Sequence, residues 1–237
     1  MNASLNRRIV AEGTGTAMLL AAVVGSGIMA DQLSSGNQAI ALLANTIATG
    51  AALVALILTF GSISGAHFNP AVTIADASQG GLAWRDVPGY VIAQCSGAVI
   101  GVWMAHVMFE QRLFMLSVHA RSGPSQIFSE FVATFGLVAV IWGCSRRRSP
   151  ALPFAVAAYI TAAYWFTAST SFANPAVTVA RALSDTFAGI RPIDVPGFVL
   201  AQFVGAMAAT LLFRWLVPAL PEDPPGTVMP RPEPARR

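Results

Sequence analysis

The sequence contains no lysine, and all 14 of its basic residues are arginine. Charged residues make up only 11% of the 237 residues, whereas roughly a quarter of an ordinary soluble domain is charged. With 55% apolar residues and a mean hydropathy of +0.62, the composition excludes a disordered or nucleic-acid-binding chain. The net charge of +3 is small and does not indicate an acidic partner.

Cysteine and histidine are also scarce, with two and three residues respectively. The two cysteines, Cys95 and Cys144, fall inside apolar segments, so they form neither a disulfide framework nor a metal site. His106 and His119 have no metal-ligand spacing. We therefore expect no metal and no cofactor, and no residue pattern indicates an enzyme.

Long apolar runs are abundant instead. Charged clusters are separated by runs of about 18–25 residues, long enough to cross a hydrocarbon core of roughly 30 Å. This pattern predicts an all-α integral membrane protein. The six predicted spans lie at about 12–30, 38–60, 87–109, 127–144, 151–170 and 196–217.

The distribution of arginine predicts the orientation. Placing the N-terminus in the cytoplasm puts ten of the 14 arginines on the cytoplasmic side, most densely at 146–148. We therefore expect a multi-pass protein of the inner (plasma) membrane with both termini cytoplasmic. Residues 218–237 contain seven prolines, which predicts a Pro-rich cytoplasmic tail.

Three features of the first half recur in the same order in the second half. They are Glu12 with Thr16, segment 69–75 and segment 86–98, which recur as Glu130 with Thr134, 174–180 and 194–206. The two segment pairs match at six of seven and nine of thirteen positions. Each repeat, about 11–109 and 127–217, carries three spans, so the second must be inverted. Inverted repeats place the substrate site near the bilayer midplane.

Each repeat carries an Asn-Pro-Ala tripeptide between its second and third spans. These six residues are Asn69, Pro70, Ala71, Asn174, Pro175 and Ala176. An Asn N-cap followed by Pro starts a helix, which predicts helices over about 70–78 and 175–184. Each would be about 15 Å long, half of a hydrocarbon core. Because the two short helices enter the membrane from opposite sides, the six residues at their N-termini are predicted to meet at the midplane of a pore.

Carboxylates inside two predicted spans need partners. Glu12 and Glu130 are interpreted either as proton carriers of a coupled transporter or as acceptors for backbone N–H groups of the two loops. Their symmetric placement, one in each half, favours loop support. His67 precedes Asn69 by two residues, and we interpret it as a loop-packing histidine in preference to a gate.

These features together resemble the aquaporin/major intrinsic protein superfamily. The resemblance rests on six spans, two Asn-Pro-Ala loops, residues 64–73 and the paired Glu and Thr, and it covers about 11–217. It implies an aquaporin-like fold of six transmembrane helices plus two re-entrant half-helices, with residues 1–217 as a single channel domain. It also implies a homotetramer in which each subunit has its own pore.

The chain departs from this resemblance at one position. Family members usually have Arg three residues after the second Asn, where this chain has Val177. Arg181 starts about 6 Å further along the half-helix, so we do not expect it to restore the constriction. Family spacing places the other filter positions at Thr49, Ala162 and Ser171. Four small uncharged residues predict a wide constriction. Similar channels with Val at this position are associated with bacterial arsenic resistance, which implies arsenite as a solute.

The leading hypothesis is a passive channel for water and small neutral solutes, including glycerol-like polyols, urea, arsenite and methylated arsenicals. Asn69 and Asn174 would donate N–H groups to the permeating molecule. The alternatives are a secondary transporter coupled through Glu12 or Glu130, a strictly water-selective channel and a non-conducting scaffold. Small residues at Thr49 and Ala162 disfavour the scaffold. The expected partners are water, small solutes and the lipid bilayer.

Overall fold

The computed structural model describes residues 3–147 and 149–217. Within these ranges the secondary structure is helical. The α-helices are α1 (Leu5–Leu33), α2 (Gln38–Ser64), α3 (Pro70–Ser78), α4 (Val87–Met108), α5 (Pro124–Ser145), α6 (Leu152–Phe166), α7 (Pro175–Arg181) and α8 (Val195–Leu216). Short 3-10 turns at Trp84–Asp86 and Pro192–Asp194 lead into α4 and α8. The predicted tail, 218–237, and Arg148 of the predicted basic cluster lie outside the described residues.

The eight helices form two halves of the same design. Each half has three long helices and one short helix, and α1 packs on α4 as α5 packs on α8. The short helix of each half also packs against the last helix of the other half, α3 on α8 and α7 on α4. We call the side on which α1 begins the N-terminal side. Each half crosses the membrane three times, so the chain makes an even number of crossings and α8 ends on the same side.

Five of the long helices have the length and composition to cross a membrane. The first is longer than predicted, because α1 continues through Arg8, which pairs with Asp86 at 2.8 Å. The sixth, α6, is shorter than its predicted span, with 15 residues. Its helix ends at Phe166, and residues 167–170 belong to the loop that leads to Asn174.

The two short helices begin as predicted, but only one ends as predicted. Asn69 and Asn174 are the N-caps, and Pro70 and Pro175 follow at the first helical position. Helix α3 spans the predicted residues, whereas α7 ends at Arg181 and not at residue 184. The backbone tightens there into bonds to the third preceding residue, Ala182 N–H to Val179 O at 3.2 Å and Leu183 N–H to Ala180 O at 3.0 Å. Such tightening is common at helix ends.

Glycines allow the helix pairs to approach closely. A Cβ atom at Gly97 of α4 would overlap the carbonyl oxygen of Gly13 in α1, and one at Gly205 of α8 would overlap that of Phe131 in α5. These two contacts occupy equivalent places in the two halves. Gly65 has another role, because it ends α2 with a left-handed φ of 93°, a conformation that favours glycine.

Candidate functional site

A buried cavity runs between the two halves of the bundle. It is lined by α1, α2, α5 and α6, by both loops and by one side of each short helix. The lining is largely apolar toward the N-terminal side, where Ile57 and Leu152 lie. Asn69 and Asn174 line the cavity where the two loops meet.

The two asparagines hold each other's loops. The Asn69 Nδ2 group donates to the carbonyl oxygen of Ala173 at 2.8 Å, and the Asn174 Nδ2 group donates to that of Phe68 at 2.8 Å. Their Oδ1 atoms cap the short helices, since Ala71 N–H and Ala176 N–H donate to them at 2.9 Å and 3.0 Å. An amide group has two N–H bonds. One N–H of each asparagine therefore remains available to the cavity.

One buried carboxylate, Glu12 or Glu130, anchors the backbone of each loop. Glu12 is fully buried and accepts the backbone N–H groups of His67 at 3.0 Å and Phe68 at 2.7 Å. Glu130 is equally buried and accepts those of Phe172 and Ala173, both at 2.9 Å. Neither carboxylate lines the cavity.

Two glutamines complete this arrangement, and sequence reasoning did not single them out. Gln94 Nε2 donates to Glu12 Oε2 at 2.8 Å, and Gln202 Nε2 donates to Glu130 Oε2 at 2.6 Å. The same two groups lie 2.8 Å from the hydroxyls of Thr73 and Thr178. Both glutamines occupy the ninth position of the 13-residue repeat, and this recurrence of a polar residue inside an apolar span was the available signal.

The loops contain left-handed residues at equivalent positions. Ala66 and Phe68 have φ near 50°, as do Ser171 and Ala173. This conformation costs roughly 1–2 kcal/mol for a residue with a side chain, and it persists only where the surroundings hold it. The carboxylate contacts of each loop provide that support.

His67 lines the cavity beside its own loop. Its Nδ1 lies 3.1 Å from the Thr73 hydroxyl, and its Nε2 lies 3.6 Å from a carboxylate oxygen of Asp76. Asp76 is buried, and the sequence interpretation had not connected it with this loop.

Three of the four predicted filter residues line one end of the cavity. Thr49, Ser171 and Val177 lie together on the side opposite the N-terminal side. Ala162 does not join them, because it is exposed on the outer face of α6. The cavity face of α6 instead consists of Val156, Ile160 and Tyr164, which are four residues apart. Residue 162, two positions from 160 and 164, points roughly the opposite way on a helix of 3.6 residues per turn.

On α6 the residue that lines this end of the cavity is therefore Tyr164 and not Ala162. Its hydroxyl lies 3.3 Å from that of Thr49, which links α6 to α2 at this end of the cavity. Arg181 lines the same region, contrary to the expectation that it lies too far along the half-helix. The expected lining of four small uncharged side chains is therefore not what the structure shows at this end of the cavity, because Ala162 is exposed and the side chains of Tyr164 and Arg181 line the cavity there.

A second arginine lies near this end, in the loop between α4 and α5. Arg121 donates through Nε to the carbonyl oxygen of Gly189 at 2.8 Å and through Nη1 to that of Ser169 at 3.2 Å. Burial lowers the pKa of Arg121 to about 10, so its guanidinium remains charged at neutral pH.

Metal-binding groups are absent from the described ranges, 3–147 and 149–217, where no three His, Cys, Asp or Glu side chains are placed to hold an ion. Cys95 and Cys144 are half-buried free thiols and are not among the cavity-lining residues. The polar side chains of the cavity lining are amides, hydroxyls, a guanidinium and the His67 imidazole, set in an otherwise apolar wall.

Known proteins resemble this chain along most of its length. The family model described as major intrinsic protein matches residues 1–151. The chain is 57% identical over 218 residues to aquaglyceroporin AqpS of Rhizobium meliloti (strain 1021), covering 92% of this chain and 93% of that protein. It is 34% identical over 214 residues to aquaporin NIP1-1 of Zea mays, covering 87% and 74% respectively.

The fold also matches a solved structure. The X-ray structure of the aquaglyceroporin from Plasmodium falciparum superposes with a TM-score of 0.66 at 21% identity, covering 91% of this chain and 98% of that one. This likeness confirms the predicted fold of six transmembrane helices plus two re-entrant half-helices.

Proposed function

Because the chain belongs to the major intrinsic protein family of membrane channels, we propose that it conducts water and small neutral solutes passively through the cavity between its two halves. The substrates proposed beyond water are glycerol-like polyols, urea, arsenite and methylated arsenicals. The residues proposed to contact them are the midplane asparagines and the filter residues Thr49, Tyr164, Ser171 and Val177.

The observation that carries the proposal is the pair of asparagines at the middle of the cavity. Each of Asn69 and Asn174 spends one N–H on the opposite loop and keeps the other for the cavity. A water or hydroxyl oxygen that leaves bulk solvent needs a donor at this depth, where the remaining wall is apolar. Because these two donors face an otherwise apolar wall, they let a water or solute molecule pass but bind it too weakly to retain it.

The filter composition supports solutes larger than water. Val177 leaves out the guanidinium that the family usually has three residues after the second Asn. The relative with 57% identity is named an aquaglyceroporin, which agrees with a channel for polyols. Arsenite carries three hydroxyl groups on one centre and so offers the same donors and acceptors as glycerol.

The contacts of the two glutamates favour a channel over a proton-coupled transporter. Glu12 accepts four hydrogen bonds, from Ser64 Oγ, Gln94 Nε2 and two backbone N–H groups. Glu130 accepts three. These fixed donors occupy both oxygens of each carboxylate, and neither group lines the cavity. Both residues, together with His67, therefore serve loop support in this proposal.

The assembly and orientation belong to the same proposal. Residues 1–217 form one channel domain in a homotetramer of the inner membrane, with both termini in the cytoplasm. The described arginines Arg7, Arg8, Arg85, Arg146, Arg147 and Arg214 lie on the N-terminal side, which supports a cytoplasmic location for that side.

Stopped-flow light scattering on proteoliposomes tests the function. Water, glycerol, urea and arsenite gradients are applied to vesicles with the native chain, the Asn174→Leu variant or no protein. The proposal predicts flux that rises linearly with the gradient and is independent of pH difference. Saturable uptake driven by a proton gradient would favour the transporter. Water flux without solute flux would favour a water-selective channel. Absence of any flux from a verified tetramer would favour a scaffold.

A further inference from the structure

Arg181 is a buried arginine that lines the cavity. Its side chain is 2% exposed, and it lines the same end of the cavity as Val177 and Tyr164. Its Nε group donates to the carbonyl oxygen of Ala188. In the part of the chain that the structure describes, neither Nη group donates a hydrogen bond to a protein acceptor. The Nη groups thus keep four N–H donors for whatever occupies the cavity.

An aromatic ring holds this guanidinium in place. The Cζ atom of Arg181 lies 3.4 Å from the centre of the Phe172 ring, and that of Arg121 lies 5.0 Å from it. A guanidinium over a ring face is attracted by the ring quadrupole. Phe172 is itself fixed, because its backbone N–H is bound by Glu130. Arg181 is therefore oriented by a loop that belongs to the pore.

The two arginines differ in how their donors are used. Arg121 spends its Nε and both Nη groups on carbonyl and hydroxyl oxygens of residues 169, 170, 187 and 189, so it serves the loop. Among the described residues, no carboxylate lies within 4.0 Å of either guanidinium. The positive charge at this end of the cavity is consequently not neutralised by an ion pair.

Helix geometry explains how residue 181 reaches the level of residue 177. The two residues are four positions apart and share one face of α7. Along a helix the rise between them is about 6 Å. Helical side chains lean toward the N-terminus of their helix, however, so a long side chain covers the preceding turn. The N-terminus of α7 lies at the middle of the cavity, and Arg181 therefore leans back toward Val177.

The same region contains an unpaired acceptor. The Ser171 hydroxyl oxygen is buried and has no partner among the described residues, and it lines the cavity together with Arg181. A molecule at this point meets N–H donors on one group and a hydroxyl on another. Neutral polyhydroxy solutes satisfy both, because each of their hydroxyls can accept one hydrogen bond and donate another.

We propose that Arg181 is a specificity-determining residue of this channel, donating hydrogen bonds from its Nη groups to the oxygens of small neutral polyhydroxy solutes and opposing the entry of cations. This proposal rests on the channel function proposed above. In this proposal Arg181 supplies the positive charge that family members usually have at the position of Val177.

The test uses Arg181→Leu, Arg181→Gln and, as a matched control, Arg112→Leu in proteoliposomes and planar bilayers. Arg112 is exposed on the same side and does not line the cavity. Glycerol and water permeabilities are measured by light scattering, and cation leak by conductance in KCl. For Arg181→Leu we expect measurable K⁺ conductance and a glycerol-to-water permeability ratio lowered on the order of tenfold, since a hydrogen bond to a charged group has roughly that effect. Arg112→Leu leaves both values unchanged.

Two further results keep the outcomes apart. Arg181→Gln retains an N–H donor without charge, so it raises K⁺ conductance and changes the ratio less than Leu does. In Val177→Arg/Arg181→Leu the guanidinium lies one turn deeper, which restores cation exclusion. A folded, water-conducting Arg181→Gln or Arg181→Leu protein with native ratio and no K⁺ leak overturns the inference. Absence of glycerol and water flux in the native protein overturns the channel function itself.

Discussion

Gly15 of α1 lies directly against the ring of Phe68, and a Cβ atom at this position would overlap the ring carbons. Phe68 is 2% exposed, has a left-handed φ, and its carbonyl oxygen accepts the Asn174 amide. A helix of the first half thus sets the position of an acceptor on which the loop of the second half depends.

Gly15→Ala is therefore expected to impair the pore. Displacing the Phe68 ring from a packed site costs roughly 1–3 kcal/mol. We expect a lower thermal midpoint of the purified protein and reduced water permeability in proteoliposomes. Gly13→Ala is the control, because its Cβ would lie at an ordinary 3.4 Å from the nearest atom, the carbonyl oxygen of Ala93. Equal behaviour of the two variants would contradict the assigned role of the Gly15 contact.

Asn174→Leu should suppress permeation. The substitution removes the donor to Phe68 O and a cavity-facing N–H, and an unpaired buried carbonyl costs roughly 1–3 kcal/mol. We expect water and glycerol flux to fall on the order of tenfold. Asn37→Leu supplies the comparison, since Asn37 caps α2 through the same kind of contact at an exposed position. Native flux through a correctly inserted Asn174→Leu protein would remove the two-loop pore from consideration.

Glu130→Gln distinguishes loop support from proton coupling. Glutamine offers one acceptor oxygen where Glu130 uses two, so an N–H group would face the donors from Ala173 and Gln202. We expect a loss of stability of about 2 kcal/mol and a proportional fall of all fluxes at every pH. Exposed Glu110→Gln should change neither. A Glu130→Gln protein of native stability that has lost only proton-driven uptake would support the transporter.

Mercury sensitivity reports on the filter end of the cavity. Cys95 and Cys144 do not line the cavity, so water flux through the native protein should resist mercurials. Ser171 lines it with a buried hydroxyl, and a mercury adduct on Ser171→Cys would fill the passage. We expect that variant to lose most of its flux and to regain it with a thiol reductant, whereas Ser171→Ala remains insensitive. Inhibition of the native protein would show that one of its two cysteines reaches the pore.

Sequence patterns predicted where the helices lie better than they predicted which side of each helix meets the cavity. Asn followed by Pro specified the start of both short helices, and the inverted repeat predicted that Glu12 and Glu130 would play equivalent parts. The filter position on α6 was predicted from the family's spacing along the chain, and such spacing does not reveal which face of a helix meets the cavity. The spacing of Val156, Ile160 and Tyr164 held that information, but α6 is apolar on its exposed face as well as on its cavity face, so it offers no polar face to orient it.

Arg181 shows a second limit of reading along the chain. Distance along a helix axis placed its Cα atom a full turn from Val177, and that estimate of the backbone is sound. The estimate left out the direction of a long side chain, which leans toward the start of the helix. It also left out Phe172, whose ring position depends on the Glu130 contact and so on the tertiary structure.

The crossed bonds of Asn69 and Asn174 make the chain the covalent equivalent of a two-fold dimer. Each half gives one amide donor and receives one through a backbone carbonyl, the self-complementary exchange of an isologous interface. Two copies saturate such an exchange, and a third would find no free acceptor. A half produced alone would bury an unpaired amide and an unpaired carbonyl, so it would be expected to associate with a second, inverted half before it could be stable in a bilayer.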